Sequence, residues 1–276
     1  MAFNVVGEMF QYPFIARAIV VGILVSLCAS LLGVSLVLKR YSMIGDGLSH
    51  VGFGSLAIAT ALNLAPLIVS IPVVIGSAFL LLRISENSKI KGDAAIGLIS
   101  SGSLAVGVMV VSMTTGMNTD VCNYMFGSIL SISNADATLS IVLSIGVLIL
   151  FVLFYPRIFA ITFDENFAKA TGVKTNMYNM LIAMLTAVTI VLGMRMMGAL
   201  LISSLIVFPA LTSMRVFKNF RNVAICSALI SVGCFFVGMV VSYLLETPTG
   251  ASIVCVNIVL FMAFSFLKVM KRSIAK

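Results

Sequence analysis

Charge is what this sequence of 276 residues has least of. Asp, Glu, Lys and Arg make up 9% of it, against roughly 25% in a soluble domain. Nine residues are acidic and a single one is histidine. Such a composition excludes an ordinary soluble enzyme, a disordered tail and a nucleic-acid module with a basic soluble surface. The cysteines, Cys28, Cys122, Cys226, Cys234 and Cys255, are five and form no C-x-x-C pair. They read as small apolar packing residues. The phosphate-binding pattern G-x-x-x-x-G-K-[ST] is missing too, because Gly172-Val-Lys-Thr lacks the upstream glycine. There is no G-x-S-x-G, no H-E-x-x-H and no soluble segment of domain size. A chain of this kind carries no ATPase of its own, so energy has to come from an ion gradient or from a separate subunit.

What the sequence has in abundance is apolar surface. Hydrophobic residues account for 61% of it, and the mean hydropathy is +1.20. Helices and closed barrels are the only structures that span lipid. Barrel strands alternate polar and apolar over ~10 residues, whereas the apolar runs here are continuous. The fold expected is all-α, a polytopic transmembrane helical bundle of about eight or nine spans, with discontinuous or re-entrant helices. A single transmembrane domain over residues 1–276 is expected. A span needs about 20 mostly apolar residues. Runs of that kind lie near 14–38, 47–62, 66–84, 93–113, 134–155, 178–194, 197–214, 222–244 and 250–267. Residues 117–132 are polar enough for a partly re-entrant external segment. The stretch from Tyr178 to Met214 breaks around Gly193 to Gly198, giving either two short spans or a span and a half-helix. The first apolar run is longer than the roughly 7–15 residues of a signal-peptide core and is expected to stay as a span.

The basic residues fix the orientation. Fifteen of the 17 Lys and Arg residues fall in alternate loops and in the C-terminal tail, which positive-inside bias places in the cytoplasm. The opposite loops hold Glu8, Asp120, Arg195 and Glu246. The net charge of +8 is therefore a mark of topology and does not point to nucleic acid.

Three stretches stand out. In Lys39-Arg-Tyr-Ser-Met-Ile-Gly-Asp46-Gly-Leu-Ser-His50, Asp46 and His50 are spaced i, i+4 and share one helix face. A carboxylate and an imidazole so placed can grip one divalent cation, and ionisable residues in a span are functional candidates by default. The bland alternative is Asp46 as a helix cap and His50 as a packing residue. Gly45 and Gly47 flank the Asp and permit close helix approach. Two ligands are few for a selective site, and a twofold dimer would double them. The second stretch, Thr162 to Gly172, reads as a short helix with Thr162 or Asp164 as its cap and Gly172 ending it in a left-handed conformation. It lies in the longest polar loop, on the cytoplasmic side. The third runs from Gly193 to Ala210. Gly198, Ala199, Ser203 and Ser204 offer small packing faces, and Pro209 interrupts the span.

Together these stretches resemble the membrane permeases of the ABC-3 family, the ATP-binding-cassette importers of zinc, manganese and iron(II). The family's Gly-Asp-x-x-x-His motif after a basic pair matches Gly45, Asp46 and His50. Its Phe-Asp-x-x-x-Ala-x-x-x-Gly cytoplasmic coupling segment matches Phe163, Asp164, Ala168 and Gly172. Its Gly-x-Leu-Leu…Pro-Ala span matches Gly198, Leu200, Leu201, Pro209 and Ala210. After the histidine the chain reads Val51-Gly-Phe-Gly, richer in glycine than the family's usual continuation. The resemblance implies a homodimeric permease in a bacterial plasma (inner) membrane, itself not an enzyme. It would work with two cytoplasmic ATP-binding subunits and an extracellular or periplasmic metal-binding protein. Asp46 and His50 would be the intramembrane ligands of a transported Zn²⁺ or Mn²⁺, with no covalently bound cofactor. Residues 157–177 would form the coupling loop, and Gly45, Gly47, Gly198 and Pro209 would serve helix packing and gating. Rival readings are a permease for siderophores or cobalamin, which needs no Asp–His pair in the membrane, and an ion-gradient-driven metal transporter, which needs more buried acids than this chain has.

The charge pattern makes a direct prediction. A fluorescent reporter fused after Lys276 is expected to light up in the cytoplasm, and alkaline phosphatase at that position is expected to be inactive. Active phosphatase there would reverse the orientation.

Overall fold

Inside hydrocarbon every backbone N–H and C=O has to find its partner within the chain, and that requirement selects helices. The computed structural model describes residues 13–87, 92–114, 127 and 133–274, and these form helices joined by short turns, with no strand among them. The helices are α1 (Pro13–Leu38), α2 (Ile44–Ala61), α3 (Pro66–Asn87), α4 (Gly92–Thr114), α5 (Asn134–Leu153), α6 (Tyr155–Phe163), α7 (Glu165–Ala170), α8 (Thr175–Met197), α9 (Ala199–Val216), α10 (Phe220–Leu245) and α11 (Thr249–Ile274). Eight of them, α1, α3, α4, α5 and α8 to α11, are long and apolar enough to cross a membrane. The remaining long helix, α2, has 18 residues and so a length of about 27 Å. Asp46, His50 and four glycines dilute its hydropathy below that of the others. The expected bundle of eight or nine spans is what is found. Of the expected re-entrant segment 117–132, all but Gly127 lies outside the described residues.

Helices α1 and α8 are the most buried of the spans and α11 the least. Around α1 stand α5, α8, α9 and α10, while α8 also touches α2 and α3. Val21, Val25, Leu32, Leu48, Leu185 and Ile190 are fully buried along this axis. In lipid no hydrophobic force draws helices together, so close contact depends on small residues and hydroxyls. The pair α2 and α4 shows this. A methyl group added at Gly107 would lie 2.9 Å from the Cα of Gly54 and 2.6 Å from the ring of Phe53. On the other side of α1, the hydroxyls of Ser231 and Ser227 in α10 donate to the carbonyls of Ser26 (3.0 Å) and Ser30 (3.3 Å).

The break expected around Gly198 is a single residue. Gly198 has φ +87°, a left-handed value that suits glycine. It separates α8 from α9, and its neighbours Met197 and Ala199 are buried. Pro209 sits inside α9. One turn later, Thr212 and Ser213 donate their hydroxyls to the carbonyls of Phe208 (2.7 Å) and Pro209 (2.8 Å).

The α2–α4 contact yields a prediction for stability. Gly107→Leu overfills it and is expected to cost about 1–3 kcal/mol, read as a lower melting temperature of the detergent-solubilised protein. Gly76→Leu, at a helix position where an added methyl meets nothing within 4 Å, is the matched change expected not to lower the melt.

Candidate functional site

The turn that delivers Asp46 to its place is built at the end of α1. Tyr41 N–H donates to the carbonyl of Leu36 (2.8 Å) and Arg40 N–H to that of Val37 (3.1 Å). This is the Schellman pattern, with Arg40 at φ +62° in the left-handed position that usually takes glycine. The chain reverses within a few residues, and α2 begins at Ile44. Asp46 therefore lies in the first turn of α2, where the positive end of the helix favours a carboxylate. It is not the cap: Met43 holds that position, and no side chain caps the helix. That removes one half of the bland reading of the motif.

His50 follows one turn later. Its Nε2 lies 3.7 Å from Asp46 Oδ2, beyond hydrogen-bond range. With metal–ligand bonds of about 2.1 Å to each atom, one ion between them would be seen at an angle of roughly 120°. The two donors can thus share one coordination sphere. Their own chain leaves them partly uncovered, with side chains 47% (Asp46) and 19% (His50) exposed. Among the described residues no group of three or more His, Cys, Asp and Glu could hold a metal ion. Among the described residues, one chain offers two candidate donors in this region.

The rest of α2 is enclosed by its glycines. Methyl groups at Gly45, Gly47 and Gly52 would meet Ile206 of α9 (3.1 Å), Ile96 of α4 (2.6 Å) and Met194 of α8 (2.6 Å). Both arms of the break at Gly198 therefore lie against α2, so two of the three sequence stretches meet here. A cavity of about 290 Å³ lies further along α2, between it, α3 and α4. Its lining of Val51, Gly54, Ser55, Ser77, Ser103 and other small or apolar residues has no charged donor.

The remaining stretch, Thr162 to Gly172, meets the Lys39 end of the same turn. Asp164 caps α7, its Oδ1 accepting the N–H of Phe167 at 2.9 Å. Thr162, the alternative cap, instead donates back to the carbonyl of Ile158 (2.6 Å). Gly172 has φ +85°, as its place after the helix requires. Ala168 is buried against the bundle, while Phe163 and Phe167 are exposed. The segment is thus a small capped helix, anchored by alanine and presenting aromatic rings outward.

Some residues were not singled out by the sequence patterns. Lys39, counted there as a topology mark, is half-buried, and its Nζ lies 3.0 Å from Glu165 Oε2. It also donates to Asn179 Oδ1, and Asn179 Nδ2 donates to Glu165 Oε1 (2.8 Å). At the opposite end of α1, Arg17 donates to Asn134. Arg195 pairs there with Asp136 at 2.9 Å. Arg17 and Arg195, the two basic residues outside the group of fifteen, thus both meet the first turn of α5. Their partners lie 59 or more residues away in sequence, which no local pattern reveals.

A family profile, that of the ABC 3 transport family, matches residues 11–268. This chain belongs to that family. It is 28% identical over 262 residues to the manganese import system permease protein ScaB of Streptococcus gordonii, covering 95% of this chain and 94% of ScaB. It is also 28% identical over 261 residues to the high-affinity zinc uptake system membrane protein ZnuB of Haemophilus influenzae, covering 94% and 98%. Among solved structures it resembles PsaBC from Streptococcus pneumoniae in complex with Fab, with a TM-score of 0.86 and 26% identity, over 96% of this chain and 95% of that one. This ABC 3 chain is a multi-pass membrane permease subunit and not an enzyme.

The cap of α7 can be tested alone. Asp164→Ala is expected to cost the segment about 1 kcal/mol. Amide exchange at Phe167 and its neighbours should rise, with the spans unaffected. Unchanged exchange would mean that Ala168 packing alone holds the helix.

Proposed function

We propose that this permease imports divalent transition-metal ions and that Asp46 and His50 bind the ion within the membrane. The observation that carries the reading is the pair itself: a carboxylate and an imidazole 3.7 Å apart on the one long helix that is not among the eight candidate spans. Placing ionisable groups on a membrane-embedded helix is costly, and a helix that keeps them there has a use for them. The ion is cargo, so a site with few permanent ligands suits it. The remaining ligands would come from a second copy of this chain, whose twofold axis would set two Asp and two His around one ion.

Zinc is our first assignment, because imidazole ligands suit Zn²⁺ and affinity along the first row rises from Mn²⁺ towards it. Manganese is the second, favoured by the carboxylate and by the likeness to ScaB. ATP-binding subunits would dock on the cytoplasmic face that carries Phe163, Asp164, Ala168 and Gly172, and an external binding protein would hand over the ion. The likeness to ScaB, ZnuB and PsaBC supports this arrangement. Gly45, Gly47, Gly198 and Pro209 would let α2, α8 and α9 shift against one another during gating.

The test is uptake of radioactive zinc and manganese by vesicles holding the permease with its ATP-binding subunits and binding protein. His50→Ala and Asp46→Asn are each expected to lower uptake about tenfold or more, while the subunits still co-purify. Wild-type uptake rates in both variants would sink the assignment of the site.

A further inference from the structure

We propose that the ring formed by Lys39, Glu165 and Asn179 is the positioning link that carries movement of the cytoplasmic segment α7 to the Asp46–His50 face. This rests on the function proposed above. The three residues come from three elements: the end of α1, helix α7 and the first turns of α8. Glu165 uses both carboxylate oxygens, Oε2 towards Lys39 Nζ at 3.0 Å and Oε1 towards Asn179 Nδ2 at 2.8 Å. Lys39 closes the ring on Asn179 Oδ1. The Lys39 side chain is 9% exposed and Asn179 is 7% exposed. An ammonium whose side chain is largely covered by protein is unfavourable without its partner. The ring therefore moves as one body or is torn apart, and displacement of α7 draws the other two residues with it.

Both of those residues lead to α2. Lys39 precedes the left-handed turn at Arg40 and is joined to Asp46 by the short run 40–45. Asn179 belongs to α8, whose Met194 fills the notch at Gly52, just past His50. A push on α7 thus reaches α2 at its first turn through the chain and at its middle through packing. A plain brace would use the same bonds, but it would act on stability alone. A link acts on the ratio between ATP hydrolysed and metal moved.

The experiment measures that ratio, metal ions transported per ATP, for the complete complex in proteoliposomes. Lys39→Met removes the charge and leaves Glu165, 40% exposed, to water. Glu165→Gln keeps hydrogen-bonding atoms without the charge. Hydrolysis is expected to continue in both, with metal moved per ATP falling roughly tenfold in Lys39→Met and less in Glu165→Gln. The exchange Lys39→Glu with Glu165→Lys is expected to recover most of the ratio, since the Asn179 amide can turn to serve either order. A wild-type ratio in Lys39→Met overturns the proposal. So do equal losses of hydrolysis and uptake in both single variants that the exchange does not repair, which is the behaviour of a brace. Wild-type complex that moves no metal would bring down the proposed function and this link together. Wild-type transport with an unaltered variant ratio would bring down the link alone.

Discussion

A helix that carries a carboxylate and an imidazole is poorly suited to hydrocarbon, and much of the packing follows from that constraint. Helix α2 is long enough to span but too polar to face lipid for its whole length. The other helices close around it: α3 and α4 on one side, α8 and α9 on the other. Enclosure at such short range requires the absence of side chains, which is why Gly45, Gly47, Gly52 and Gly54 follow one another along the helix. Each lies against a different neighbour or a different level of the same one. One apolar helix shows the opposite behaviour. Helix α11, with no ionisable group in its middle, is left almost uncovered.

The same cost governs the few other charges. Lys39 and Arg195 are each placed where a carboxylate meets them, and each pair ties together elements distant in sequence. The pairs lie at opposite ends of the bundle. At the inner end the ties join α1, α7 and α8. At the outer end they join α5 to α1 and α8. Helix α8 takes part in both and is among the most buried spans, so it is the natural shaft between the two faces. Its continuity ends at Gly198, and α9 returns from there beside Gly45 of α2.

How much of this was legible beforehand depended on the range of the interaction. Continuous apolar runs gave the spans, because twenty residues of hydrocarbon need no partner to be recognised. The i, i+4 spacing gave the Asp46–His50 face, and the Asp164 cap with Gly172 gave the short helix, since all three are contained within a few turns. The Gly198 break was legible as a region but not as a single residue, because Gly193 was an equal candidate until its packing against Ile202 and Val25 was known. Lys39, Glu165, Asn179 and Asp136 escaped notice for the opposite reason. Their chemistry exists only between residues brought together by the fold, more than a hundred positions apart for Lys39 and its two partners. In the sequence a lysine after a span is indistinguishable from any other cytoplasmic charge.

In the proposed function a two-ligand half-site is an asset. A ligand shifts a conformational equilibrium only by its difference in affinity between the two states. A complete cage built from one chain would hold the ion about equally in every state and would release it slowly. Two donors per chain on a helix face that is still partly open make the coordination number depend on how the chains stand relative to each other. Moving α2 then changes the affinity itself. The weakness of the site within one chain becomes the means by which a distant event, such as closure of ATP-binding subunits, can alternately take up and let go of an ion.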